Sequence, residues 1–148
     1  MKAKLENPSD TAIKTWAQLL RVSRHLLSAV EQDLKDAKQP PLAWYDALLE
    51  LKRAGPDGLR PFQLQSKMLL AQYNLSRLVD RLVAEGLVKR VESTTDGRGF
   101  VLHLTPEGRK KQAMMWKVYQ RSIADNFAGK LSERDMLKLS SHLGQFGT

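Results

Sequence analysis

The sequence predicts a mainly helical (α+β) fold in which one two-stranded ribbon interrupts a series of helices, and three observations predict it. Leu75, Leu78, Val79 and Leu82 recur at i, i+3, i+4 and i+7, the spacing of a single helix face. Leu87–Glu92 and Phe100–Thr105 are short runs of strand formers separated by Ser93–Gly99, and Phe100, Leu102 and Leu104 alternate with Val101 and His103. The long segments on either side carry apolar residues at three- and four-residue steps. A helix with a polar, cationic outer face followed at once by a β-hairpin is the back half of a winged helix-turn-helix. In that arrangement the helix can enter a DNA major groove and the hairpin tip can reach the neighbouring minor groove.

The elements follow in order. Ser9 or Asp10 can cap a long helix to about Lys38, with Ile13, Trp16, Leu19, Leu20, Leu26, Leu27, Val30 and Leu34 on its apolar side. Gln39-Pro40-Pro41 ends it, because a proline disfavours helical geometry in the residue before it. Pro41 can open a second helix striped by Leu42, Tyr45, Leu48, Leu49 and Leu51, closed by the turn Gly55-Pro56-Asp57-Gly58. Pro61 suits the first turn of a short helix, Phe62–Met68, expected to bury Phe62, Leu64 and Met68. The helix containing Tyr73 comes a few residues later, as a helix-turn-helix requires, and Gly86 stops it. Past the hairpin, Thr105-Pro106-Glu107 combines a hydroxyl cap, a proline at N1 and a carboxylate at the positive end of the helix dipole. That helix should reach about Ala128, with Met115, Tyr119, Ile123 and Phe127 a turn apart. Ser132 and Asp135 then start a last helix striped by Met136, Leu139, Leu143 and Phe146.

These elements suggest a helical dimerisation region, residues 1–40 and 106–148, around a winged helix-turn-helix at residues 41–105, together one structural unit. A winged helix needs only the central part to close its core. The flanking apolar stripes are more than three helices can bury within one subunit, so a homodimer is expected, with a larger monomeric α+β core as the alternative. The net charge is +8, from 24 Lys+Arg against 16 Asp+Glu, which favours a polyanionic partner. The excess is spread out: residues 57–111 hold ten Lys/Arg and six Asp/Glu, a net +4, so bulk charge alone also fits a solvated basic surface. With no cysteine, the chain has no disulfide framework, thiolate metal site or thiol redox sensor. The sequence holds no 18-residue apolar run and no signal-like start, so a cytoplasmic protein away from membranes is expected. His25, His103 and His142 lie far apart with no second ligand at metal spacing. Phosphate-loop, G-x-S-x-G and H-E-x-x-H motifs are missing, and neither catalysis nor a cofactor is expected.

The residues on the exposed side of the second helix-turn-helix element have definite chemistry. Arg77 and Arg81 lie one turn apart; a guanidinium can bridge guanine O6 and N7, and Asn74 can pair with adenine N6 and N7. Gln72, Tyr73 and Ser76 add hydrogen-bonding groups for phosphate or a thymine methyl. Arg98, on a glycine-flanked tip, fits insertion into a narrow, A/T-rich minor groove. Asp96 would repel phosphate if unpaired and is expected to brace the wing by pairing with an arginine. Lys89 and Arg90 on the first strand, and Ser66 and Lys67 at the end of the preceding helix, are candidates for backbone phosphate. For each of these residues taken alone, the competing reading is a solvated face with Asp80 pairing an arginine.

Two stretches carry a family resemblance. Leu75-Ser76-Arg77-Leu78-Val79-Asp80-Arg81-Leu82 with Glu85-Gly86-Leu87-Val88-Lys89-Arg90 resembles the recognition helix and first wing strand of the MarR family of bacterial regulators. Asp96-Gly97-Arg98 through Leu104-Thr105-Pro106-Glu107-Gly108 is similar to that family's D-x-R, strand, L-T-x-x-G signature, without a gap. The resemblance implies a homodimeric transcription factor, usually a repressor, on a pseudo-palindromic DNA site, often released by a small aromatic or phenolic acid. It further implies an effector cleft where the long helices meet the winged helix; Trp16, Arg21, His25 and Tyr45 would offer aromatic walls and cations to an organic anion. Position 71, a capping Ser in many relatives, is Ala71 here, so the operator does not carry over. A regulator without a ligand keeps the DNA reading. The competing function, from another class, is a winged-helix module that binds protein and not DNA; such a module has no need of Arg77, Arg81 and Arg98 together.

Overall fold

The computed structural model describes residues 7–70, 74–93 and 99–147. Its elements are α1 (Asp10–Asp36), α2 (Leu42–Ala54), α3 (Pro61–Lys67), α4 (Leu75–Ala84), β1 (Val88–Glu92), β2 (Phe100–Leu104), α5 (Pro106–Asn126) and α6 (Glu133–Gly144). Short 3-10 turns occupy Gly55–Asp57 and Ala128–Lys130. The fold is thus mainly helical with one antiparallel ribbon, a winged helix-turn-helix flanked by helices. Among the described residues no helix is long and apolar enough to cross a membrane.

The chain divides into two compact units, Asp33–Arg121 and Met1–Gln32 with Ser122–Thr148. The first contains the winged helix and reaches into both flanking helices, because Leu34 near the end of α1 and Met115 on α5 are buried within it. Its core gathers Ala47, Leu48 and Leu51 of α2, Leu64 of α3, Leu78, Val79 and Leu82 of α4, and Val88 and Leu102 of the ribbon. The inward residues of α4 are the ones its spacing predicts. Each fully buried leucine contributes about 1.5–3 kcal/mol relative to exposure.

Local signals set most boundaries. The Ser9 hydroxyl accepts the Ala12 amide at 3.0 Å and starts α1; Ser132 accepts the Asp135 amide at 3.1 Å and starts α6. The α1 helix stops at Asp36, and Lys38 takes a φ of 58° ahead of the two prolines. At α5 the Thr105 hydroxyl accepts from the Gly108 amide at 3.0 Å and donates to the Gly86 carbonyl at 2.7 Å, tying the helix start to the end of α4. In the ribbon Val88 pairs with Leu104, Arg90 with Leu102 and Glu92 with Phe100. Leu59 adds a third partner: its amide donates to the Leu102 carbonyl at 3.0 Å and its carbonyl accepts the Leu102 amide at 2.8 Å. Gly58 makes that approach possible, since a Cβ there would lie 2.5 Å from the Leu102 oxygen at a φ of 67°.

Two expectations need correcting. Phe62 is not part of the core but 68% exposed. In α3 the inward position is Leu64, and a residue two places earlier lies about 200° round the helix axis. The helix itself is Pro61–Lys67, with Met68 as its extended C-cap. The helix expected to include Tyr73 and Asn74 begins at Leu75 with Asn74 as its N-cap; Tyr73 lies outside the described residues.

The second unit buries little by itself. Val30 and Ser122 are buried, whereas Trp16 at 65% and Phe146 at 79% exposure leave large apolar side chains open, and α6 buries no residue. Pro8, Ala12, Ile13, Trp16, Leu19 and Phe146 line an open apolar groove of about 580 Å³.

Candidate nucleic-acid interface

The reading face is assembled on α4. Its N-cap is Asn74, whose Oδ1 accepts the Arg77 amide at 3.1 Å. This bond satisfies one of the helix's four unpaired N-terminal donors. It also commits the oxygen that a bidentate adenine contact would use, a role the sequence reading missed although Asn is a preferred cap. Ser76, Arg77, Asp80 and Arg81 project outward and are exposed, while Leu78, Val79 and Leu82 hold the opposite side in the core. Neither Arg77 nor Arg81 has a carboxylate partner among the described residues. The one carboxylate on this face, Asp80, is ion-paired with Arg90 of β1. That pairing compensates the negative charge that would repel phosphate. Pro41, Trp44, Asn74, Arg77 and Arg81 line a shallow groove along one flank of α4; Pro61, Ser76, Asp80, Arg90 and Phe100 line another between α4 and the ribbon.

Arg90 acts as a brace. Besides Asp80 it meets the Phe100 ring, with its guanidinium carbon 5.3 Å from the ring centroid, a cation–π distance. Lys89 is exposed and opposite His103, on the other face of the ribbon. Arg60, absent from the sequence candidates, donates from Nη2 to the Ser93 hydroxyl at 3.1 Å and so joins the start of α3 to the root of the wing. Ser66 and Lys67 are exposed at the end of α3, where the Ser66 hydroxyl donates back to the Gln63 carbonyl at 2.8 Å. Gln72, Tyr73, Asp96 and Arg98 lie outside the described residues.

Asp46 of α2 is 4% exposed. Its Oδ1 accepts the Leu69 amide at 3.1 Å and its Oδ2 the Leu70 amide at 2.9 Å. Burial pushes its pKa above the ordinary carboxylate value, against the Leu70 and Leu69 amides, which pull it down. The available signal was a carboxylate inside an apolar stripe, Trp44-Tyr45-Asp46-Ala47-Leu48. Beside it Tyr45 stacks on Trp116 at 5.9 Å and meets Tyr119 edge-on at 5.0 Å. Burial raises the pKa of both tyrosines.

The four effector candidates are not brought together within either unit. Trp16, Arg21 and His25 are exposed on α1 in the second unit, and Tyr45 is 5% exposed in the first. Among the described residues no group of three acidic or histidine side chains is placed to hold a metal ion.

A helix-turn-helix with a ribbon joined to its second helix defines a winged-helix protein. Its sequence narrows this further: the MarR family model matches residues 39–99. The chain is 29% identical over 133 residues to YkoM, an uncharacterized HTH-type transcriptional regulator of Bacillus subtilis, covering 87% of this chain and 85% of that one. Among solved structures, Sco3205 of Streptomyces coelicolor, a MarR family regulator in complex with DNA, superposes with a TM-score of 0.83 at 19% identity, over 96% of this chain and 89% of that one. BpsR of Bordetella bronchiseptica, whose DNA binding is regulated by 6-hydroxynicotinic acid, superposes with a TM-score of 0.78 at 19% identity, over 95% and 97%. Over residues 39–99 the chain is thus similar to the MarR family, and it has the fold of that family's regulators of known structure.

Proposed function

We propose that the protein is a cytoplasmic, homodimeric, sequence-specific DNA-binding repressor released by a small organic acid of aromatic or phenolic type. The observation that carries this reading is the face of α4: exposed Ser76, Arg77 and Arg81 without carboxylate partners among the described residues, beside an Asp80 neutralised by Arg90. Such a face suits the major groove, with Arg77 or Arg81 on a guanine and Ser76 on phosphate. Gln72 and Tyr73 extend the reading segment, Ser66, Lys67 and Lys89 take backbone phosphate, and Arg98 reaches the flanking minor groove, with Asp96 bracing the tip. Arg90 holds the ribbon in place.

Two reading helices must lie roughly 34–36 Å apart to meet successive major-groove turns, and a homodimer sets that distance. The exposed apolar groove of Trp16, Leu19 and Phe146 is the surface that supports it. Sco3205 on DNA and BpsR with 6-hydroxynicotinic acid support DNA and a small aromatic acid as ligands. The test is enrichment of duplexes from a random pool, followed by release with a panel of aromatic and phenolic acids. A pseudo-palindrome should emerge, and at least one acid should weaken its binding while the DNA weakens acid binding by the same factor. Enrichment of no sequence would favour the protein-binding module.

A further inference from the structure

We propose that Asp46 is a positioning residue for DNA reading: its ionised carboxylate holds the turn that delivers α4 to the groove. This rests on the DNA-binding reading above. Among its described residues the turn has few other anchors. After Met68 the chain leaves α3 in extended geometry, and Leu69 is 81% exposed, so its side chain holds nothing in place. What ties the backbone down is the pair of amide bonds from Leu69 and Leu70 to the two Asp46 oxygens, at 3.1 and 2.9 Å. The carboxylate that accepts them is rooted on α2, between buried Tyr45 and Ala47, so its own position is set by the core. Four residues beyond Leu70, Asn74 caps α4 and Arg77 begins its reading face. Fixing the turn therefore removes freedom that DNA binding would otherwise have to restrict in each subunit.

The groups around Asp46 make its charge state matter. On α2, Glu50 opposes its ionisation and Arg53 favours it; Tyr45 adjoins it on the same helix, and on α5 the Tyr119 hydroxyl feels its charge. Among the described residues no charged side chain of α3 or α4 contributes. Desolvation is the largest influence and raises the pKa, while the two amide bonds lower it. A folded-state pKa above the unfolded value means that the folded chain holds the proton more tightly, so this contribution to stability is present at low pH and lost as pH rises through the folded pKa.

Local amide exchange and sequence-specific binding separate positioning from mere structural support. The experiment compares wild type with Asp46→Asn on a duplex selected by the wild type and on an unrelated duplex of equal length. The Asn side chain keeps one accepting oxygen, but its NH2 cannot accept from a backbone N–H, so one bond per subunit is lost. Specific affinity should fall about tenfold or more at neutral pH, in line with loss of a charge-assisted bond in each subunit, with little change on the unrelated duplex. Exchange of the Leu69 and Leu70 amides should quicken by a similar factor. Should the variant not fold, wild type answers the question, because those two amides should gain protection on the selected duplex and not on the unrelated one. Equal binding by variant and wild type, or amide protection that follows only global stability or is unchanged by the selected duplex, would overturn the proposal. Failure of the wild type to enrich any duplex would instead remove the DNA reading on which it rests.

Discussion

Replacing Gly108 with alanine probes how α5 is seated on the wing. A Cβ at this position would lie 2.0 Å from the Leu87 carbonyl oxygen, 2.7 Å from Leu104 Cδ1 and 3.0 Å from the Leu87 carbonyl carbon. The leucine side chain can rotate away, but the carbonyl cannot: it accepts the Thr105 amide at 3.1 Å, and the Leu87 amide is bonded to Leu82 at 2.9 Å. An ordinary carbon–oxygen contact is about 3.3 Å, so the first turn of α5 would have to retreat by about 1.3 Å. That retreat pulls the Thr105 hydroxyl off Gly86, which it meets at 2.7 Å. Overpacking costs about 1–3 kcal/mol and a lost cap about 0.5–2 kcal/mol. Alanine's better helix propensity returns about 0.8–1 kcal/mol. The net loss should be about 0.5–4 kcal/mol. Urea unfolding followed by far-UV circular dichroism, at one fixed protein concentration, should show a lower midpoint with an unchanged slope. Gly144→Ala serves as the control, since nothing lies within 4 Å of its Cβ and the midpoint should rise or hold. A Gly108→Ala protein as stable as wild type would refute the close approach as a constraint on this helix.

The remaining predictions concern the reading surfaces. Arg77→Ala should cost about 1–3 kcal/mol per half-site and relax preference at one base pair, measured against point-changed duplexes. Asn74→Ala should destabilise the folded protein by about 1 kcal/mol through its cap even without DNA, whereas Asn74→Ser should restore stability; equal melting of all three would remove the capping role. Arg98→Ala should make the slope of log affinity against log salt shallower by about one per lost charge, with discrimination falling at flanking A/T positions. Deleting residues 1–30 should leave an aggregating or unfolded chain in sedimentation. A well-folded monomer that still binds a palindrome at full affinity would contradict the dimer.

What the sequence made legible was local or periodic. Leu78, Val79 and Leu82 were recoverable because a ten-residue amphipathic helix has enough turns to define its buried side. Thr105 and Ser132 were recoverable because a cap and its amide lie three residues apart. The same reasoning failed at Phe62, since α3 has seven residues and two turns do not define a face. Asp46 escaped because its partners lie 23 and 24 residues away, and Arg60 because Ser93 is 33 residues on. Asn74 was visible as a polar residue at the head of α4, but cap and base contact ask for the same side chain. The cations of the reading face were legible as a group; which of them are free was not, because the Asp80–Arg90 pair forms only once the ribbon folds back on α4.

That pair belongs to a set of ties that fixes the ribbon at its root. Leu59 bonds twice to Leu102 on the edge of β2, Arg60 reaches Ser93 just beyond β1, and Arg90 joins β1 to Asp80 of α4 and to the Phe100 ring of β2. Each tie runs from the ribbon to a different neighbour: the segment before α3, the start of α3, and α4. A two-stranded hairpin alone is marginally stable in water, so its direction must be imposed by what it packs against. Three ties from separate elements restrict both its tilt and its twist. The exposed Asp80–Arg90 pair is worth at most about 1 kcal/mol in stability, so its contribution lies in orientation. By holding the ribbon to α4 it sets how far the wing stands from the helix that reads the groove.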